Sequence, residues 1–162
     1  MTKEGLLEIL SLLDRAGIRY WIEGEWGVDA LAGEQTREHA DLDIDLDATQ
    51  AHQAVSLLRA NGFTTLHDML PVRMELRHPS LGDIDIHPIM VGCDGSARQA
   101  DGEGGFYEFK PEYFGETIFE GRRIRCITLE AQLLFHTGYE PQAKDLFDLL
   151  TLRRLAEGAC RP

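Results

Sequence analysis

The chain has 162 residues, 43% of them hydrophobic and 27% charged, an ordinary balance for a single soluble domain able to bury a core. A formal net charge of −12 is not ordinary at this length: it argues against non-specific nucleic-acid binding, which needs a basic footprint, and it suits a cationic substrate or simple solubility. Cys93, Cys126 and Cys160 form no CxxC pair and read as reduced thiols, and no stretch resembles a signal peptide or a membrane span of about 20 apolar residues, so the expected address is the cytoplasm.

In chain order, Leu6, Ile9, Leu10 and Leu13 recur at helical spacing, and Gly17 closes that helix. "IRYWIEG" predicts a short buried strand ending at Gly24, and "EWGVDALAG" a short helix stopping near Gly33. "DLDIDLD" alternates apolar and acidic residues with the period of a strand. Asp47 and Gln50 resemble a capping box, so "ATQAHQAVSLLRAN" is read as a helix ended by Asn61 and Gly62. "FTTLHDM", "VRMELRHP" and "GDIDIHPIMV" follow as strands, and residues 92–105 as a polar loop. Short strands are expected at "FYEF", "ETIFEG" and "RRIRCI". Two helices, "LEAQLLFHTG" and "PQAKDLFDLLTLRRLAEG", finish the chain, the second with Pro141 near its first turn. This order describes one α+β (α/β) domain over residues 1–162, a mixed β-sheet flanked by helices, with helices at the C-terminus.

The aspartates of "DLDIDLD" carry the chemistry. Asp41 and Asp43 sit two apart on one strand face, Cα atoms about 6–7 Å apart, where both carboxylates can converge on a hard cation. "GDIDIHP" repeats the device, with Asp83, Asp85 and His87 on one face. If the two strands are neighbours, three carboxylates surround one or two Mg²⁺ ions, the arrangement of a two-metal phosphoryl-transfer site. Upstream, Gly24 leads from a strand into a helix whose first N–H groups can hold phosphate. Solvated strand faces account for many such aspartate strings. Asp47 is read as a helix cap, Asp45 as a solvated or hydrogen-bonded face residue, and Asp83 as lying outside the pair.

"WIEGEWGVDALAGEQTREHADLDIDLD" resembles the core motif of the minimal nucleotidyltransferases related to DNA polymerase beta: a Gly turn, a short helix, then Asp-h-Asp on a strand. Together with "RMELRHP", "DIDIHPI", "EGGFYEF" and "EAQLLFHTGY", it is similar to the lincosamide nucleotidyltransferases, with the aminoglycoside 2″-nucleotidyltransferases as more distant relatives. The likeness runs from about Tyr20 to Leu150.

The resemblance implies a nucleotidyltransferase fold and Mg²⁺-dependent transfer of a nucleoside monophosphate, AMP from ATP or the equivalent from another NTP, to a hydroxyl of a small-molecule antibiotic. Asp41, Asp43 and Asp85 match the metal-binding carboxylates, and Asp85 also the general base. Gly24 matches the phosphate turn, and Arg37 and Lys144 fall where cations could neutralise a triphosphate. Glu25 departs from the family's second Gly or Ser. Its side chain is expected to turn away and leave its N–H for phosphate; otherwise the nucleotide site is altered. His87, Tyr107 and Glu75 are the candidate acceptor-binding residues. A homodimer is one way for so small a domain to wall off a bulky acceptor. The competing readings are an aminoglycoside acceptor, a protein acceptor, and a catalytically idle binding module.

Overall fold

A computed structural model describes residues 1–137 and 140–159. Cys160, and the end of the helical stretch predicted to reach residue 138, lie outside them. The elements run α1 (Lys3–Arg15), β1 (Tyr20–Ile22), α2 (Gly24–Ala32), β2 (Asp41–Asp47), α3 (Ala51–Ala60), β3 (Thr64–Met69), β4 (Arg73–His78), β5 (Gly82–Val91), β6 (Ala97–Ala100), β7 (Phe106–Phe109), β8 (Phe114–Phe119), β9 (Arg122–Ile127), α4 (Leu129–Phe135) and α5 (Ala143–Ala159).

The strands form one mixed sheet in the order β3-β4-β5-β2-β1-β9-β8, with β6 joining β5 to β7. β2 runs parallel to β5, and β1 parallel to β9; the remaining pairs are antiparallel. Leu42, Ile44 and Leu46 point to one face and are fully buried in the main core with Leu6, Ile9 and Leu10 of α1 and Val55 and Leu58 of α3. Each such side chain contributes about 1.5–3 kcal/mol by leaving water. A slip of one residue would bury the four aspartates under the helices instead, so register is strongly specified. The opposite face carries a smaller core around Trp21, Ile127 and Ala131 of α4, so helical packing is not confined to one side of the sheet.

One expectation needs correction. The polar loop at 92–105 contains β6, paired through Ile89 with Gln99 and Met90 with Arg98. Ala97 is buried, but the second alanine of "ARQA", Ala100, lies three positions on and shows no alternation; neighbouring strands make it a strand. Asp47 behaves as read: its carboxylate accepts from the Thr49 N–H at 3.0 Å and pairs with Arg19. Cys93 and Cys126 are free thiols, and among the described residues no helix is long and apolar enough to cross a membrane.

Candidate active site

The parallel pairing of β2 with β5 sets Asp41 opposite Asp83, Asp43 opposite Asp85 and Asp45 opposite His87. β4 places Glu75 opposite Asp85 from the other side. These strands floor a cleft of about 390 Å³ lined by Asp41, Asp43, Asp85, Gly24 and Glu25, with Lys144 at its wall. Asp43, Asp85 and His87 each bring one ligand atom within 4.8 Å of the other two; Asp41 lines the same cleft outside that tight trio. His87 Nε2 lies 3.5 Å from Asp85 Oδ2 and 3.9 Å from Asp43 Oδ1, and its Nδ1 is 3.5 Å from Glu23. Arg73 lies 3.3 Å from Asp85 and also pairs with Glu75.

This cluster is short of positive charge. Burial, then Glu23 and Asp41, push the Asp43 carboxyl up to about 8. Burial opposes the His87 imidazolium, but Glu23, Asp85 and Asp43 outweigh it and hold its pKa at about 10. Burial and Glu25 raise Asp41, against the pull of Lys144. Asp85 Oδ1 is buried with no hydrogen-bond partner. A divalent cation fits these groups: carboxylate oxygens are its preferred ligands, and its charge would relieve the mutual repulsion that raises Asp43.

Gly24 has φ +58°, and a Cβ there would lie 2.6 Å from Asp43 Oδ2, so both backbone conformation and space require glycine beside the carboxylates. Glu25, on the first turn of α2, keeps its carboxylate at the cleft wall, only 13% exposed. Arg37 at 2.9 Å, Lys144 at 2.8 Å and His39 at 3.2 Å surround it. Arg37 also binds Asp148 of α5, through contacts of 2.7 and 3.2 Å. Burial works against the Glu25 charge, but Arg37, Lys144 and His39 overcome it and lower the carboxyl to about 2. An unfolded glutamate titrates near about 4.3, so ionised Glu25 stabilises the fold fully above that value and progressively less as pH falls toward about 2. The Tm gap between the wild type and Glu25→Gln should therefore narrow between about pH 5 and about pH 2. A gap that stays constant would show that these cations do not hold Glu25 ionised.

A second cavity, about 610 Å³, opens beside the cleft and is lined by Tyr107, Phe109, Leu134 and Phe135. Glu23 and His87 border both spaces, and Gln99 of β6 holds His87 Nδ1 at 2.8 Å. Tyr107 is thus beside the apolar cavity, whereas Glu75 lines the carboxylate cleft and is engaged by Arg73.

The sequence model of the aminoglycoside-2″-adenylyltransferase family matches residues 5–152. The chain belongs to that family. It is 44% identical over 155 residues to a lincosamide resistance protein of Staphylococcus haemolyticus, covering 96% of each chain. The crystal structure of the lincosamide antibiotic adenylyltransferase LnuA, lincomycin-bound, superposes with a TM-score of 0.89 at 44% identity, over 96% of this chain and 98% of that one. The crystal structure of ANT(2″)-Ia in complex with adenylyl-2″-tobramycin gives a TM-score of 0.74 at 19% identity, over 98% of this chain and 91% of that one, a likeness that bears on fold alone.

For a member of this family, the site includes side chains that sequence reasoning passed over. Arg73 faces Asp85 because β4 is antiparallel to β5; "VRMELRHP" shows the parity but not the neighbour. Glu23 leaves its helix-capping position uncapped and turns toward His87, a contact with no local sequence mark. Asp45 is neither solvated nor hydrogen-bonded as expected: it is fully buried with both oxygens unpartnered, and burial, then Glu23, drive its pKa well above the carboxylate range.

Proposed function

We propose that this chain transfers a nucleoside monophosphate, AMP from Mg-ATP, to a hydroxyl of a lincosamide and so confers resistance. The observation that carries this reading is the 44% identity, across nearly the full chain, to a lincosamide resistance protein and to lincomycin-bound LnuA. A net charge of −12 argues against nucleic acid as the partner, and the reaction's place is the cytoplasm, where ATP is at hand. A homodimer, with a second copy walling the acceptor cavity, goes with this reading.

Asp41, Asp43 and Asp85 hold the metal in this scheme. Bound there, Mg²⁺ would supply the positive charge that a triphosphate and a departing pyrophosphate need. Gly24 keeps the turn clear of a side chain, and the Glu25 N–H meets phosphate at the start of α2. Arg37 and Lys144 neutralise the carboxylates beside that turn. Asp85 Oδ1, free of other partners, takes the acceptor's hydroxyl proton as the oxygen attacks the α-phosphorus and the bond to pyrophosphate breaks. Arg73 fixes the other oxygen of Asp85. The acceptor lies against Tyr107, with its hydroxyl beside His87 and its ammonium toward Glu23, since Glu75 is engaged by Arg73.

The test is incubation with Mg-ATP and panels of lincosamides and aminoglycosides, read by mass spectrometry. A lincosamide bearing one added AMP supports the proposal. The family match, named for aminoglycoside modification, favours aminoglycosides as the second reading, and an adduct on those alone would establish it. Folded protein that modifies no acceptor with any NTP would leave a binding module.

A further inference from the structure

We propose that Lys144 masks Glu25: its ammonium cancels a carboxylate that this chain carries inside its phosphate turn, and that pairing strengthens the turn's hold on a triphosphate. The inference rests on the nucleotidyl-transfer reading and adds a role for a residue on the C-terminal helix.

Glu25 lines the same cleft as Asp41 and Asp43, and three partners keep it there. Arg37 and His39 hold one oxygen, Lys144 the other. His39 is itself fully buried and fixed by Asp29, so Glu25 has no easy retreat into solvent. A fixed anion next to the backbone N–H groups of α2 would repel phosphate.

Arg37 is not sufficient to cancel that anion. Its guanidinium also faces Asp148, a fully buried carboxylate that takes two of its N–H groups. One cation between two carboxylates leaves one negative charge over, and Lys144 supplies the missing positive charge. Its position supports this role. Lys144 stands in the first turn of α5, where the helix dipole favours carboxylates and opposes a cation. Among the described residues, its one ion pair is with Glu25.

The pairing is tested by calorimetric titration of Mg-ATP in the absence of acceptor, with Tm measured for each protein. Lys144→Met should weaken nucleotide binding by about tenfold, the order expected for one like-charge contact about 10 Å away in a partly screened cleft. Glu25→Gln/Lys144→Met should restore affinity to within about threefold of the wild type, because the anion to be masked is gone. Lys144→Arg, which keeps the charge, should bind like the wild type. A double variant as weak as Lys144→Met would mean that Lys144 contacts the triphosphate directly, and the masking role would be wrong. Unchanged affinity in Lys144→Met would also overturn it. Wild-type protein that binds no Mg-ATP would instead sink the transfer reading itself, before any variant is compared.

Discussion

Replacing Asp85 with asparagine should lower kcat for nucleotidyl transfer by about 10²–10⁴, the usual worth of a positioned general base. Asparagine keeps the shape but has no basic oxygen for the acceptor proton. Asp85 is 7% exposed, its Oδ1 has no partner, and Arg73 is 3.3 Å from Oδ2, so one oxygen is held while the other is left without a hydrogen bond and can take a proton. Asp41 and Asp43 remain to bind the metal, so KM for Mg-ATP should change far less than kcat. Steady-state rates with a lincosamide acceptor, alongside Tm for the variant, separate lost chemistry from lost folding. Arg73 keeps Glu75 as a partner, which argues for a folded variant. A kcat within about threefold of the wild type would remove Asp85 from the base role, since acid–base catalysis rarely contributes so little.

The parts of this site that rest on period were legible in the chain. Alternation in "DLDIDLD" and "GDIDIHP" assigns Asp41 and Asp43 to one face, and Asp85 and His87 to one face, before any fold is known. Their meeting was conditional, because strand adjacency is a long-range choice that local pattern does not encode; the parallel β2–β5 register supplies it. Gly24 was readable as a turn, and the structure adds the reason: Asp43 leaves no room for a Cβ. Glu25 was readable as a departure but not as a hub, since its three partners arrive from the segment before β2 and from α5. α5 misleads most. Its sequence is helical, yet Asp145 and Asp148 face inward while Leu146, Phe147 and Leu150 are exposed, the reverse of an ordinary amphipathic helix. Asp148 is buried because Arg37, 111 residues earlier, waits for it.

That inversion makes Arg37 the residue on which the attachment of α5 most depends. Replacing it with methionine keeps the bulk but leaves Asp148 buried without its cation. Removing one partner of a buried pair costs about 3–5 kcal/mol, because the surviving charge is left desolvated. The Arg37 side chain is 20% exposed and that of Asp148 not at all, so the lower end, about 3 kcal/mol, is the expected loss. Among the described residues of α5, Leu152 is the fully buried apolar side chain, with Leu149 and Leu155 half-buried, and the Lys144–Glu25 pair has a half-exposed lysine, worth at most about 1 kcal/mol. Urea unfolding should show a lower midpoint for Arg37→Met, and a reduced slope if α5 detaches before the rest. Arg37→Met/Asp148→Leu should recover the part of the loss that comes from stranding Asp148, because an apolar pair replaces that buried ionic one at little net cost, while Glu25 keeps Lys144 and His39 as partners. If Arg37→Met alone lost less than about 1 kcal/mol, Asp148 would have found water or a proton, and α5 would be held by apolar contacts rather than by the ion pair.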